Sequence, residues 1–180
     1  MIFIPGPLIT FLTFPGVVMH EIAHRFVCDL LHVPVYDVNY FSIGDTQAGH
    51  VVHKKTKSIA HDFLIGFAPL FINSFFCMLF TLPYSSTMHI TGDGISNHAS
   101  MFLYWIGMSM GAHAFPSNQD VESISLMTKN NNAFFIVQPL CSIIQFLNLL
   151  RFLWINFAYA FVLSFILPYL IFGYGINPLR

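Results

Sequence analysis

Four stretches of this chain carry no charged side chain: Phe63 to Leu82, Ala99 to Phe115, Ala133 to Leu150 and Phe152 to Ile176. The N-terminal run from Met1 to Met19 is uncharged as well. A helix that crosses a bilayer needs about 20 mostly apolar residues, and these runs approach that length. Composition agrees. The chain is 56% hydrophobic and only 8% charged, with a mean hydropathy of +0.67, whereas a soluble domain carries about 25% charged residues. The expected fold is an all-α polytopic membrane protein. It has four to five transmembrane helices in one domain over residues 1–180, with the lipid bilayer as its solvent. The core spans 8–122. The last two runs, parted only by Arg151, read as a C-terminal helical hairpin over 133–176 or as one bent element.

The connections differ in character. Val33 to Lys57 is rich in β-branched and aromatic residues, broken at Gly44-Asp45 and Gly49, and reads as two or three short strands at the membrane surface after the first helix. Tyr84 to Asn97 reads as a polar loop and Met127 to Asn132 as a short turn. Pro5 and Pro7 place the first helix start near Leu8. That N-terminal run lacks a basic flank and stays apolar past its end, which argues against a cleaved signal peptide. Lys54, Lys55, Lys57 and Lys129 mark the cytoplasmic side, and the lysine-free Tyr84–Asn97 loop marks the other. The expected location is the cell membrane, crossed several times. A net charge of −1 leaves no basic surface for nucleic acid. Cys28, Cys77 and Cys141 are odd in number and far apart, so they read as packed free thiols. The sequence sets no oligomeric state.

Against this background "HEIAH", His20 to His24, stands out. Residues four apart on a helix share a face, so His20 and His24 point the same way, and Glu21 sits at the edge of that face. HExxH on a helix is the two-histidine zinc motif, with the glutamate as general base. Neutral imidazole is a good zinc donor, and zinc lowers the pKa of water toward ~7. Glutamate in a membrane segment is itself a functional-site signal. The expected cofactor is one Zn2+ per chain.

A catalytic zinc takes a third protein ligand. The longer HExxHxxGxxH pattern fails, since Val27 and Leu30 stand where glycine and histidine belong, and His32 is out of step. Of the acidic residues, Asp37 and Asp45 belong to the strand region, Asp93 to the polar loop, Asp62 to a helix start and Asp29 to another helix face. Asp120 and Glu122 remain. The first and third segments both run inward. His24 lies about 12 Å up the helix from His32 at 1.5 Å per residue, and Pro116 breaks the third segment at a similar depth. A broken helix at that depth is tolerated where it lines a cavity.

Taken together, His20 to His24 in a membrane helix, a following β region, "GFAPLFIN" in the next helix and "AFPSNQD" after a later one resemble the site-2 protease superfamily of intramembrane zinc metalloproteases. The resemblance covers about Phe11 to Glu122. It implies that His20, His24 and Asp120 are metal ligands and Glu21 the base. Pro69 and Asn73 match the family's middle pattern with changed spacing. Asn118 stands near the position of a family asparagine, at a different offset. Asp120 is followed by Val121 where the family has glycine, which points to a divergent, minimal member.

Other candidates carry weaker signals. His113 lies seven residues before Asp120, beyond the break at Pro116, and reads as a ligand or a support for one. Asn73, in an uncharged span, either binds a substrate carbonyl or bonds another helix. Asn118 either supports the site or meets the substrate. His50 and His53 fall on opposite faces of a strand. "GMSMG", Gly107 to Gly111, reads as close helix packing. The expected activity is zinc-dependent endopeptidase hydrolysis in or near the transmembrane segment of a membrane-protein substrate, with the active site in the cytoplasmic half. The rivals are a zinc-binding, non-proteolytic membrane interaction module and a purely structural membrane protein.

Overall fold

The computed structural model describes residues 6–43, 48–91, 98–129, 134–150 and 154–172. Seven helices and one small sheet are seen among them. They are α1 (Gly6–Leu12), α2 (Phe14–Leu30), β1 (Val35–Asn39), β2 (His50–His53), α3 (Ile59–Thr91), α4 (His98–Ala112), α5 (Asn118–Thr128), α6 (Phe134–Leu149) and α7 (Ile155–Phe172).

The helix expected from Leu8 through the histidines is broken at Thr13. Pro15 sits in the first turn of α2 and has no N–H to continue α1. Polar side chains of α4 fill the gap. Trp105 Nε1 donates to Leu12 O at 3.1 Å, and Ser109 Oγ donates to Thr13 O at 2.7 Å. At its other end α2 closes in a Schellman turn. His32 takes φ 55, its N–H reaches Asp29 O at 3.2 Å, and the Val33 N–H reaches Cys28 O at 2.8 Å. This turn sends the chain straight into β1. β1 and β2 pair antiparallel, Asn39 opposite His50 and Val35 opposite His53, with an irregularity between Val35 and Asp37. Among the described residues two strands form, the lower of the two numbers expected.

α3 is 33 residues long, or about 50 Å at helical rise. It runs through Tyr84 to Thr91, where a loop was expected. Two of its hydroxyls bond back onto the helix. Ser86 Oγ donates to Leu82 O at 2.5 Å and Thr87 Oγ1 to Pro83 O at 3.0 Å, the four-residue back-bonding that hydroxyl side chains make inside helices. The rest of that expected loop, 92–97, lies outside the described residues, as do Gly44 and Asp45.

Contacts along the helices give their directions. α4 meets α2 in order, Trp105 at Leu12, Ser109 at Gly16 and His113 at His20, so the two run parallel. α3 meets α2 in reverse, Ile65 at His24 and Asn73 at Gly16. α7 runs against α4, Asn156 at Ala112 and Ser164 near Tyr104. The core is thus an up-and-down set of α2, α3, α4 and α7. α6 pairs not with α7, as the expected hairpin had it, but with α5. Ser125 Oγ bonds Gln138 Oε1 at 2.8 Å and Asn148 Nδ2 bonds Asn118 Oδ1 at 3.0 Å. Phe67, Val121, Ile124, Cys141 and Ile144 seat this α5–α6 pair on α3.

Among the described residues two helices are long and apolar enough to cross a membrane, α3 over Ile59–Thr87 and α7. With 17 and 15 residues, α2 and α4 are shorter than a standard span of about 20. Alongside an apolar core, polar groups are buried and large apolar side chains face outward. Glu21, His24, Asp62, Asn73 and Asn156 are buried, while Phe71, Phe75 and Leu79 form an exposed stripe along α3. Cys28, Cys77 and Cys141 are free and buried.

Candidate metal centre

The buried positions of α2 are Gly16, Val17, Glu21, Ala23, His24 and Cys28, and Val17, Glu21, His24 and Cys28 among them follow the alternating intervals of four and three that mark one helix face. The HExxH motif therefore points into the bundle. Gly16 makes that possible. A Cβ there would lie 2.0 Å from Ser109 O, so only glycine lets α4 come this close. The close approach brings the end of α4 beside His20.

Each imidazole is oriented by a backbone carbonyl that has lost its helical partner. His24 Nδ1 lies 2.8 Å from Ile65 O. Ile65 is four residues before Pro69, and proline has no N–H to bond that carbonyl. His20 Nδ1 lies 2.8 Å from His113 O, just beyond the end of α4, where carbonyls lack helical donors. A carbonyl only accepts, so both Nδ1 atoms carry a proton, and each ring in its neutral form presents its Nε2 lone pair toward the other. Those two Nε2 atoms are 3.1 Å apart.

Asp120 completes the cluster. Its Oδ2 lies 3.5 Å from His24 Nε2 and 3.8 Å from His20 Nε2. It sits at the third position of α5 in a capping box. The Ser117 N–H donates to Asp120 Oδ2 at 2.7 Å, and the Asp120 N–H donates to Ser117 Oγ at 3.2 Å. The same carboxylate oxygen is fixed by the helix cap and aimed at the histidines. Among the described residues, His20, His24 and Asp120 are the group able to hold a metal ion. Ligand bonds of ~2.0–2.2 Å in a tetrahedron give edges of ~3.3–3.6 Å, and the three observed edges of 3.1, 3.5 and 3.8 Å bracket that range. A shared proton satisfies two of these lone pairs, whereas a divalent cation satisfies all three. The residues present fit the metal.

A cavity of about 450 Å³ opens on the cluster, and Glu21, His50, Asn118 and Asn156 share its wall with the three ligand candidates. Glu21 is only 8% exposed. Gly49 of the hairpin lies directly over it, where a Cβ would come 2.7 Å from Glu21 Cγ. His50 Nε2 pairs with Oδ2 of the exposed Asp37 at 2.8 Å, and this hydrogen bond holds the Asp37 carboxyl below its ordinary range.

The remaining candidates fall into place differently. Glu122 is exposed on α5, away from the cluster. His113 contributes its carbonyl, not its ring, which lies 2.8 Å from the Thr13 hydroxyl. Thr13 Oγ1 donates to Ile9 O, so the His113 Nε2 is the donor in that pair. Asn73 is fully buried and bonds helices together, its Nδ2 reaching Gly16 O at 3.3 Å and His113 O at 3.1 Å. Asn118 opens α5 and accepts from Asn148. Sequence reasoning passed over Asn148, Asn156, Ser109 and the Ile65 carbonyl. Only Pro69 signalled the last of these, through the helical bond it deletes.

No family model, no curated protein and no solved structure matches this chain.

Proposed function

We propose that this chain is an intramembrane zinc metallopeptidase, hydrolysing peptide bonds in or near the membrane-spanning segment of another protein. The observation that carries the reading is the convergence of His20 Nε2, His24 Nε2 and Asp120 Oδ2 beside a buried glutamate at the wall of one cavity. Zinc bound there supplies a Lewis acid and lowers the pKa of water toward ~7. The Glu21 carboxylate takes a proton from the attacking water and passes it to the leaving amine. The Ile65 and His113 carbonyls keep both Nε2 atoms available as donors. A substrate helix unwinds first, because its carbonyls are occupied by internal bonds, and an open edge of the β1–β2 hairpin offers the unwound chain a pairing partner.

The exposed apolar stripe of α3 and the buried polar groups support a bilayer environment, with α2, α3, α4 and α7 as the spans and the α5–α6 pair against them. In this arrangement the lysines at 54, 55, 57 and 129 face the cytoplasm, and the metal centre lies in that half of the membrane.

Zinc content of the detergent-purified chain tests the reading. One zinc per chain is expected in the wild type, in Glu21→Gln and in Glu122→Gln, and loss is expected in His24→Ala and Asp120→Ala. Glu21→Gln is expected to cleave no verified substrate. A wild type without zinc ends the proposal. Undiminished cleavage by Glu21→Gln removes the base, and zinc without any cleavage assigns the non-proteolytic module instead.

A further inference from the structure

α6 carries none of the residues assigned to the metal or to proton transfer, yet its last turn reaches the turn that aims Asp120. The Asn148 amide has two hydrogens, and each finds an acceptor on that turn. Nδ2 donates to Pro116 O at 2.9 Å and to Asn118 Oδ1 at 3.0 Å. These two acceptors flank Ser117, whose N–H and Oγ hold Asp120. The turn is therefore held from two directions. The capping box ties it to the start of α5, and Asn148 ties it to α6. α6 is in turn fixed by Cys141 and Ile144 against Phe67, Val121 and Ile124.

We infer that Asn148 is a positioning residue of the metal centre, clamping the Pro116–Asn118 turn so that the Asp120 carboxylate meets the two histidines. The inference rests on the metal-binding reading above and extends it to an element outside the ligand-bearing helices. The physical reason is the form of the backbone at this point. α4 has ended at Ala112 and α5 begins only at Asn118, so no helical ladder fixes the Pro116–Ser117 turn from which the Asp120 carboxylate is held. Pro116 has no N–H with which to bond its surroundings. Hydrogen bonds to its carbonyl and to the Asn118 side chain are what tie the turn to α6. Without the Asn148 donor, both acceptors lose a partner, and the turn is free to swing by the few tenths of an ångström that separate a ligating oxygen from a distant one.

The test uses the full-length chain in detergent, with zinc as the probe and a chromophoric chelator as competitor. Asn148→Leu keeps the size of the side chain and removes its donors. It is expected to raise the zinc dissociation constant about tenfold, the lower end of the range for losing a group that supports a metal ligand, and to speed zinc release. Ser125→Ala is the control. It breaks the 2.8 Å bond to Gln138 at the other end of the α5–α6 pair and leaves the turn alone, so wild-type affinity is expected. Wild-type affinity in Asn148→Leu overturns the inference. So does an equal weakening in Ser125→Ala, which would mean that the docking of α6 as a whole matters and Asn148 does not. If Asn148→Leu loses its helical circular dichroism, Asn118→Ala decides. It removes one of the two acceptors from the turn's side and leaves α6 intact, so a smaller weakening is expected and an unchanged affinity overturns the inference. A wild type that binds no zinc removes the metal-binding reading, and the inference with it, which is distinct from zinc binding that ignores Asn148.

Discussion

Two seams of the helix bundle both use glycine to bring helices close, at Gly16 in one and at Gly107 and Gly111 in the other, but they differ in what their polar side chains do. Along the α3–α4–α7 seam, small side chains let backbones touch. A Cβ on Gly107 would meet Thr81 Cγ2 at 2.7 Å, and one on Gly111 would meet Cys77 Sγ at 2.6 Å and Ala160 Cβ at 2.7 Å. Along the α2–α3–α4 seam, polar side chains reach for carbonyls that helix breaks have released. His24 takes the one freed by Pro69, while His20 and Asn73 share the one past the end of α4. The first seam holds the fold by packing. The second gives up regular helical bonding to orient imidazoles. In a chain with so few charges, that difference marks where chemistry is expected, since broken ladders cost stability and persist where something else uses the freed groups.

The largest effect that can break this contrast is at Gly111. Gly111→Leu drives a side chain into Cys77 and the Ala160 backbone. Overpacking of this kind costs about 1–3 kcal/mol, and more where backbone is struck. SDS-titration unfolding is expected to show a loss at or above the top of that range, while the fraction that remains folded keeps its full zinc. A folded Gly111→Leu protein with reduced zinc per chain would mean that the seams are coupled and the contrast false.

Pro69→Ala strikes the other seam, and its signature is the reverse. Alanine restores an N–H at 69, which competes with His24 Nδ1 for the Ile65 carbonyl. The His24 ring is then free to take either tautomer. Zinc affinity is expected to fall about 10- to 100-fold, as when a ligand histidine loses its orienting partner. The helix itself gains propensity, since proline is about 3 kcal/mol worse than alanine in a helix interior. Zinc affinity by chelator competition and stability by SDS titration are read on the same variant. Unchanged zinc affinity would show that Pro69 is only a kink and that the released carbonyl orients nothing.

How much of this was legible in the sequence follows the same division. The histidine pair, the break at Pro116 and the position of Asp120 were readable, because helical spacing, the lack of a proline N–H and a short acidic inventory are local facts. The close packing at Gly107 and Gly111 was readable from the spacing of small residues. The pairing of α6 with α5 was not, because an apolar face says that a helix is covered and not by which neighbour. The helical run from Tyr84 to Thr91 was hidden by hydroxyl residues that look like a loop in sequence, of which Ser86 and Thr87 bond back onto their own helix. The Thr13 break carried its signal in Pro15, yet what stabilises it comes from Trp105 and Ser109, some ninety residues on. Asn148 was illegible for the same reason, its acceptors being 32 and 30 residues earlier in the chain.

The smallest expected effect lies outside both seams, on the hairpin that covers Glu21. There the Asp37–His50 pair is a surface contact, with side chains 67% and 36% exposed, so solvent screens it and its contribution is slight. It is still measurable as a titration. The His50 hydrogen bond lowers the Asp37 carboxyl from its ordinary value. A carboxylate whose folded pKa lies below its unfolded one contributes stability above the unfolded value of about 3.9, and that contribution disappears as pH falls through the folded value. Carbon-13 NMR of the Asp37 carboxyl in detergent is expected to show the titration moving up toward the ordinary range in His50→Gln, with zinc content unchanged. The hairpin amides of that variant are expected to lose the acid-side change in hydrogen exchange that the wild type shows below about pH 4. If zinc falls in His50→Gln while the Asp37 titration stays where it was, His50 acts on the metal centre and not on the hairpin. The polar seam would then extend from the helices onto the sheet.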